Sequence, residues 1–506
     1  MGHFIHLGVL DWAILVIYIA TLSGIGFWAA RRAQKNTDDY FLAGRSIPSF
    51  VTWASFVATC LSAVTFIGTP SEGYSSDFRY LLSSFGDIAA TFFIAYAFLP
   101  HFQKLRVTSI YEAIGRRFGS SVRTLSSAYF LLTRLLASTV RVVAVAKVLE
   151  VVSGGGLSYS NSVLIIVGLI LAYATIGGGR AVAWTDTVQF FLLIGGALAA
   201  LFYLTTHIPG GVSTIIALGC HAVKPDGTVY NKFNFLDLLS PQNLGILGLM
   251  IVWGFFNSSA GYGTDQDMVQ RLLACRDEKG ARLSLMFWGI SSIPIVFLFL
   301  SIGASLYAYA HFYPAFVAGM KDPDHVFPRF ILTVVPSGLR GLLLAAVFSA
   351  AMGSADSAMA SLSTSFVIDF YSPFISPESS EEERLKASKL SFLGFGVFFI
   401  VFALILRRLD NLLWMAFRVT AFTYGPLLGI FLVAILTGWK IEGRRLVILA
   451  LSTTFLTALM AMTAWVLTLH GAQGFWKNLH QTYWPLYVVF GALFVVFGSY
   501  CLRERN

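Results

Sequence analysis

The chain has 506 residues, 56% of them hydrophobic and 12% charged, about half the charged fraction of an ordinary soluble protein. Its charges stand between long apolar runs, which excludes a string of soluble domains and indicates one polytopic helical membrane domain over residues 1–506. The net charge of +9 is not read as nucleic-acid affinity, because topology skews the loop charge of membrane proteins. Cys60, Cys220, Cys275 and Cys501 are scattered, with no CxxC or Cys/His grouping to suggest zinc, a redox centre or a disulfide framework. No glycine-rich phosphate loop suggests an ATP-driven pump, and no HExxH or GxSxG inside a span suggests an intramembrane enzyme.

Met1–Leu10 carries no Lys or Arg, whereas the first apolar run, 10–30, is followed by Arg31 and Arg32. A signal peptide has the opposite charge order, so 10–30 is expected to be a first spanning helix with its N-terminus outside. After the polar loop DDYFLAGRSIP, apolar runs follow at 49–70, 80–100, 122–152, 161–178, 184–206, 243–262, 283–311, 338–370, 388–406, 411–437, 446–469 and 483–502. These runs predict about thirteen transmembrane helices. Strict alternation then puts roughly 22 Lys and Arg inside, about 9 outside and about 4 within spans, which is the positive-inside asymmetry. The C-terminus is expected in the cytoplasm. The chain ends at Asn506 just after the last span, so no signalling extension, as in a membrane sensor, is expected.

Two spans look broken. Phe50–Tyr74 is interrupted by Thr59, Ser62, Thr65, Gly68 and Pro70, and Leu244–Thr264 by Asn257, Ser258, Ser259, Gly261 and Gly263. Each opens a group of five spans, 49–206 and 243–437, with 10–30 and 446–502 as extra helices. Interrupted helices in matching positions of two halves point to a transporter built from inverted repeats, in which freed carbonyls suit a cation. Gly/Ser-rich packing helices are the plainer alternative. A third segment, GLLLAAVFSAAMGSADSAMASLSTSFVIDFY (341–371), spans a bilayer but carries Asp356 and a stripe of Ser354, Ser357, Ser361 and Ser365 at steps of three and four. The stripe fits a close packing seam or an ion held by oxygens; the intramembrane acid needs a partner, a proton or a cation. Asp356 lies round the helix from Ser354 and is expected to face another neighbour.

The segments DDYFLAGRSIP (38–48), ATCLSAVTFIGTPSEGY (58–74), GGGRAVAWTDTVQ (177–189), TDQDMVQRLLA (264–274) and FSAAMGSADSAMASLSTSFVIDFY (348–371) together resemble the sodium/solute symporters, the family of the sodium–glucose, proline, iodide and sialic-acid transporters. The resemblance implies the leucine-transporter fold of two inverted five-helix repeats, and Na⁺-driven uptake by alternating access. It implies a sodium site made by the carbonyls of Ala58, Leu61 and Ala350 and the hydroxyl of Ser354. The family usually supplies a second hydroxyl just before the last of these, where this chain has Gly353. Water or another group must replace that oxygen, or the site is weaker. A second sodium, bound by some sialic-acid transporters, would match Asp186, Asp356 and Ser357, whose oxygens suit a hard cation. The plainer reading of Asp186 is a helix N-cap or a partner of Arg180.

By the same resemblance Ser62 and Thr65 match substrate-contacting positions of the sialic-acid transporters. Arg134, Ser138 and Arg141 lie at i, i+4 and i+7 deep in the run 122–152, on one helix face. Buried arginines in a span face a water-filled cavity or an acid, and arginine is a bidentate partner for carboxylates. The substrate-carboxylate arginine of the sialic-acid transporters aligns with Ala137, about one turn from both. The alternative for Arg134 or Arg141 is an ion pair with Asp87 or Asp356; Arg141, near Lys147 and Glu150, could equally head for the outer interface. TPSEGYSSDF and Thr65, at a position where sugar transporters carry glutamine, lean towards an anionic solute. Of the aromatics beside the broken spans, Tyr424 is singled out as a gate, because Gly425 and Pro426 are expected to interrupt its helix. The reading is a symporter in the cell (inner or plasma) membrane, moving Na⁺ and a small solute, sialic acid or a monocarboxylate, inward with no oligomer required. The alternatives are a Na⁺/hexose symporter and a proton-coupled transporter titrating Asp186 or Asp356.

Overall fold

The computed structural model describes residues 7–31, 36–152, 156–223, 227–233, 241–320, 322–407, 412–470 and 485–504. Arg32, residue 411 and the 483–484 end of the last expected run lie outside these. The protein is almost entirely helical, and helices occupy the described part of every expected apolar run. By length and composition eight described helices qualify as spans, or nine if one bent pair is counted as a single span, against the thirteen expected. Large apolar side chains such as Phe202 (71% exposed), Leu390 (71%) and Phe497 (69%) stand on the outer faces, as a lipid-facing surface requires.

Helix α1 (Val9–Ala30) leads to a short α2 (Thr37–Leu42), whose Asn36 cap accepts from Asp39 N at 2.8 Å. The first predicted break is present. Helix α3 (Ser49–Cys60) stops where Leu61 (ψ 58°) and Ser62 (ψ 168°) leave helical geometry, and α4 (Ala63–Ser75) resumes at 54° to it. Thr65 Oγ1 donates to Cys60 O at 3.3 Å across the break. Helices α5 (Ser83–Ala97), α6 (Leu99–Leu105) and α7 (Ile110–Phe118) follow, then the long α8 (Ser120–Val152). Helix α9 (Tyr159–His207) contains both the 161–178 and 184–206 runs. Its 49 residues kink at Gly178, whose φ of 58° only glycine adopts freely and whose missing Cβ admits Tyr40 O at 2.5 Å.

Beyond the short outer helix α10 (Gly211–Cys220) and a two-stranded β1–β2 hairpin (Ala222–Val223, Val229–Tyr230) comes α11 (Pro241–Gly263). The second expected break is misplaced. Helix α11 runs unbroken through Asn257–Gly261, and the chain leaves helical geometry only at Thr264–Asp265, before α12 (Gln266–Ala274). The small residues serve packing instead. A Cβ on Gly254 would stand 2.3 Å from Ser83 O and one on Gly86 2.3 Å from Ile251 O, so α5 and α11 touch backbone to backbone.

Helices α13 (Glu278–Phe312), α14 (Val326–Thr333) and α15 (Leu339–Phe366) complete the core, the last continuing as a π-helical stretch to Ile375. The remaining helices are α16 (Glu381–Ile405), α17 (Leu412–Leu436), α18 (Gly443–Leu469) and α19 (Leu486–Leu502). Helix α17 is continuous through Tyr424, Gly425 and Pro426, so the expected interruption is absent. Gly425 instead admits Val488 O, 2.8 Å from where its Cβ would be. Asp11 ties α1 to the start of α15: its carboxylate accepts from Gly338 N and Gly341 N at 2.8 Å each, an acid placed at a helix N-terminus.

Candidate functional site

Helix α15 is the most enclosed span, with 89% of its apolar window buried. The serine stripe is buried and bonds mainly along its own helix: Ser354 Oγ donates to Ala350 O (3.0 Å) and Ala351 O (3.2 Å), and Ser361 Oγ to Ala358 O (3.0 Å). Asp356 faces another neighbour, accepting from Tyr173 Oη of α9 at 2.6 Å and from Ser357 N at 2.6 Å. Of the oxygens expected to hold the first sodium, the Ser354 hydroxyl lies 3.0 Å from Ala350 O within α15, and α3 loses its helical geometry at Leu61.

An ion network lies beside them, and sequence reasoning did not foresee its central members. Asp186 is neither an N-cap nor a partner of Arg180. It sits within α9 beyond the kink, where its Oδ2 accepts from Ser55 Oγ (2.6 Å) and Arg271 Nη2 (3.1 Å); Arg180 Nη2 donates to Ala43 O and Ser46 Oγ. Arg271 also binds Asp267 Oδ1 (2.6 Å) on α12, and Asp267 accepts from Ser357 Oγ (3.3 Å) and pairs with Arg134 of α8. Arg134 continues to Asp265 Oδ2 (3.5 Å), which accepts from Tyr424 Oη at 2.6 Å. Arg134 is therefore paired, but with Asp265 and Asp267 rather than Asp87 or Asp356. Buried charges of this kind are tolerated only when mutually compensated. The signal within reach was the pair Asp267 and Arg271, one helical turn apart in TDQDMVQRLLA.

The network divides two cavities. The larger has a volume of about 170 Å³ and is lined by Ser62, Thr65, Arg134, Arg141 and Tyr424, which gathers all five residues expected to face the solute. It also brings in Tyr262, one of the aromatics beside the broken spans, and Thr59, Asp87, Asn257 and Ser258, which were not assigned to the solute from sequence. Asp87 is engaged by the Ser258 hydroxyl. Arg141 differs from Arg134 in its charge partners: both guanidinium groups keep buried nitrogens without a hydrogen bond, but Arg134 has two carboxylates beside it and Arg141 has none within ion-pair distance among the described residues. The smaller cavity, about 30 Å³, lies against Asp267 and Arg271 and is lined also by Ser55, Gln270 and Ser357. The segment 41–47 plugs it: Gln270 Nε2 donates to Phe41 O at 3.0 Å, and Ile47 bridges Cys275. A polar cavity between a broken helix and a buried ionic barrier is the architecture of a carrier that binds at mid-membrane.

The sequence profile of the sodium:solute symporter family matches residues 40–440. The chain is 30% identical over 432 residues to the sodium/sialic acid symporter SiaT of Proteus mirabilis (strain HI4320), covering 85% of each chain. It is 30% identical over 456 residues to human sodium-coupled monocarboxylate transporter 2, covering 86% of this chain and 70% of that one. A solved Na⁺-coupled sialic acid symporter, in a substrate-bound outward-open state, superposes with a TM-score of 0.82 at 24% identity over 99% of both chains. The chain belongs to the sodium:solute symporter family. It is a sodium-coupled membrane symporter of leucine-transporter fold and not an enzyme.

Proposed function

We propose that this symporter imports a carboxylate-bearing solute, a sialic acid or a monocarboxylate, with the α8 guanidinium of Arg141 as the carboxylate partner. The observation that carries the reading is the contrast between the two arginines of that cavity. Arg134 is neutralised by Asp265 and Asp267, whereas Arg141, whose Nε and Nη1 are buried without a hydrogen bond, has no carboxylate within ion-pair distance among the described residues. A buried guanidinium held without a counter-ion is costly, and an incoming carboxylate repays it by bidentate pairing. A neutral hexose would leave that charge uncompensated. Ser62 and Thr65 at the helix break, and Tyr424 opposite, supply polar contacts around the solute.

The sodium ligands are the carbonyls of Ala58, Leu61 and Ala350 with Ser354 Oγ; the residues fit, since α3 ends beside them and Ser354 and Ala350 oxygens already adjoin. Bound sodium would supply the positive charge that holds these oxygens of α3 and α15 together. Asp186, Asp356 and Ser357 are candidates for a second sodium, though one Asp186 oxygen serves Arg271 and Ser55. That pairing favours Asp186 as part of the inner barrier over a proton carrier. The Arg134–Asp267–Arg271–Asp186 network separates solute from cytoplasm, and its parting releases the solute inward. The positive-inside asymmetry supports an N-terminus outside and a C-terminus in the cytoplasm, in two inverted repeats, 49–206 and 243–437, with 10–30 and 446–502 outside them.

The test is uptake into proteoliposomes of labelled sialic acid, a monocarboxylate and glucose under an inward Na⁺ gradient, an inward H⁺ gradient or neither. Sodium-driven accumulation of an anionic solute is expected. Accumulation driven by protons alone, or of glucose alone, contradicts the reading.

A further inference from the structure

The chain between α2 and α3 closes the smaller cavity with a turn that L-amino acids rarely adopt. Ala43 (φ 53°), Gly44 (φ 60°) and Arg45 (φ 51°) follow one another in the left-handed region. There a Cβ crowds the next carbonyl and only glycine is at ease, yet two of the three residues carry a side chain. Such strain persists only where surrounding contacts impose it. Arg180 Nη2 donates to Ala43 O and Ser46 Oγ at 2.8 Å each, and Arg45 Nη2 to Val107 O at 3.0 Å. Ile47 N donates to Ala274 O at 3.0 Å, and Ile47 O accepts from Arg276 N at 2.9 Å. Two glycines at the kink of α9 let the segment lie on the helix backbone: a Cβ on Gly178 would stand 2.5 Å from Tyr40 O, and one on Gly179 2.3 Å from Phe41 O.

The covered cavity, at about 30 Å³, has room for about two waters and for no solute. Segment 41–47 also straddles the barrier. Gln270 of α12 donates to Phe41 O, and Arg180 of α9 holds Ala43 O. The same two helices carry Arg271 and Asp186, which pair across the barrier at 3.1 Å. Parting Arg271 from Asp186 therefore pulls apart the two helices that this segment bridges, and it must let go of one. We infer that residues 41–47 are a second inner gate in series with the ionic barrier, and that the left-handed turn Ala43–Arg45 is strained when the gate is shut and relaxes when it opens. The contacts hold the gate closed and the strain weakens their grip, so the gate opens without the protein unfolding. The inference goes beyond the barrier reading above and rests on it only for the direction of release.

Cys275, buried opposite Ile47, is the native reporter of the gate. The purified full chain in detergent is treated with N-ethylmaleimide, and modification of Cys275 is followed by peptide mass spectrometry. Ala464→Cys, at a fully buried position of α18, reports unfolding in the same assay. Cys275 is expected to react roughly tenfold faster or more than Ala464→Cys, because local opening outpaces unfolding. Ala43→Gly removes a Cβ from the left-handed turn without touching a hydrogen bond, and is expected to slow Cys275 by about five- to thirtyfold. Gly179→Ala, whose Cβ meets Phe41 O, is expected to speed it. A Cys275 that reacts no faster than Ala464→Cys overturns the gate. An unchanged rate in Ala43→Gly overturns the part given to the strained turn. If Gly179→Ala does not fold, Ala43→Gly decides alone. Neither sodium nor solute enters the measurement, so its failure leaves the sodium and solute assignments standing, and their failure leaves the gate standing.

Discussion

Lys232, in the loop after the β1–β2 hairpin, is buried, and its Nζ donates to the carbonyls of Gly73 (3.1 Å), Tyr74 (2.7 Å) and Ser76 (2.9 Å) and to Tyr230 Oη (2.8 Å). Those carbonyls close α4, so the lysine holds the second half of the broken helix to the loop. It also lies over the Tyr307 ring at 4.5 Å. Burial pushes its ammonium down from 10.5 to about 7, against the opposing pull of Asp77 and Glu72. A lysine whose folded value is depressed binds fewer protons folded than unfolded between those limits, so its contribution to stability grows as pH rises from about 7 towards 10.5. Integrated from pH 6.5 to 8.5, that growth is about 2 kcal/mol as an upper bound, or some 25-fold in a local opening equilibrium. Lys232→Met removes the titration and leaves three carbonyls without their donor, at about 1–3 kcal/mol each before the relief of burying an amine is subtracted. Hydrogen exchange over 72–78, taken as the ratio of variant to wild type at each pH so that intrinsic rates cancel, is the assay. The ratio should exceed one and rise several-fold to about 25-fold between pH 6.5 and 8.5. A ratio that is flat or falls with pH would refute the argument.

Other consequences follow from the same contacts. Arg271→Ala leaves Asp186 without its cationic partner and Asp267 with Arg134 alone, and should destabilise the protein by about 3–5 kcal/mol; Arg271→Lys should recover part of this, measured as a melting temperature. Gly303→Ala would place a Cβ 2.2 Å from Pro70 O and 2.7 Å from Gly73 Cα, prising α13 from α4 at a cost of about 1–3 kcal/mol, and an unchanged melting temperature would count against that packing. Ser354→Ala should raise the sodium concentration for half-maximal uptake with little change in melting temperature without sodium; equal sodium dependence would remove Ser354 from the site.

The helix break was legible as an interruption of the apolar run 49–70 by Thr59, Ser62 and Thr65, but Gly68 and Pro70, also expected to unwind it, lie inside the continuous helix α4. The same reasoning misplaced the second break. Glycine and serine also mark close helix contact, and Gly86 and Gly254 let α5 and α11 meet backbone to backbone. At Gly425 the choice again fell on unwinding where the structure uses the small residue to admit Val488 O. The five residues expected to face the solute line one cavity because α8, α17 and the α3–α4 break converge there; Arg134 and Arg141 were legible as one polar face of α8, whereas Ser62 and Thr65 came from the family resemblance and Tyr424 from its place beside Gly425 and Pro426. The ionic barrier was hidden because its partners come from α3, α8, α9, α12 and α15, and sequence alone gives no distances between them. Arg134 thus looked as available for an anion as Arg141 until Asp265 and Asp267 were found beside it.

The most direct test of the central claim is the Michaelis constant for sodium-driven uptake of the transported anionic solute in wild type, Arg141→Gln and Arg141→Lys. Loss of a charged hydrogen-bonding partner predicts a rise of roughly tenfold to a hundredfold for Arg141→Gln, partly recovered by lysine, with sodium coupling retained. An unchanged Michaelis constant in Arg141→Gln would contradict the assignment of the unpaired guanidinium to the solute carboxylate.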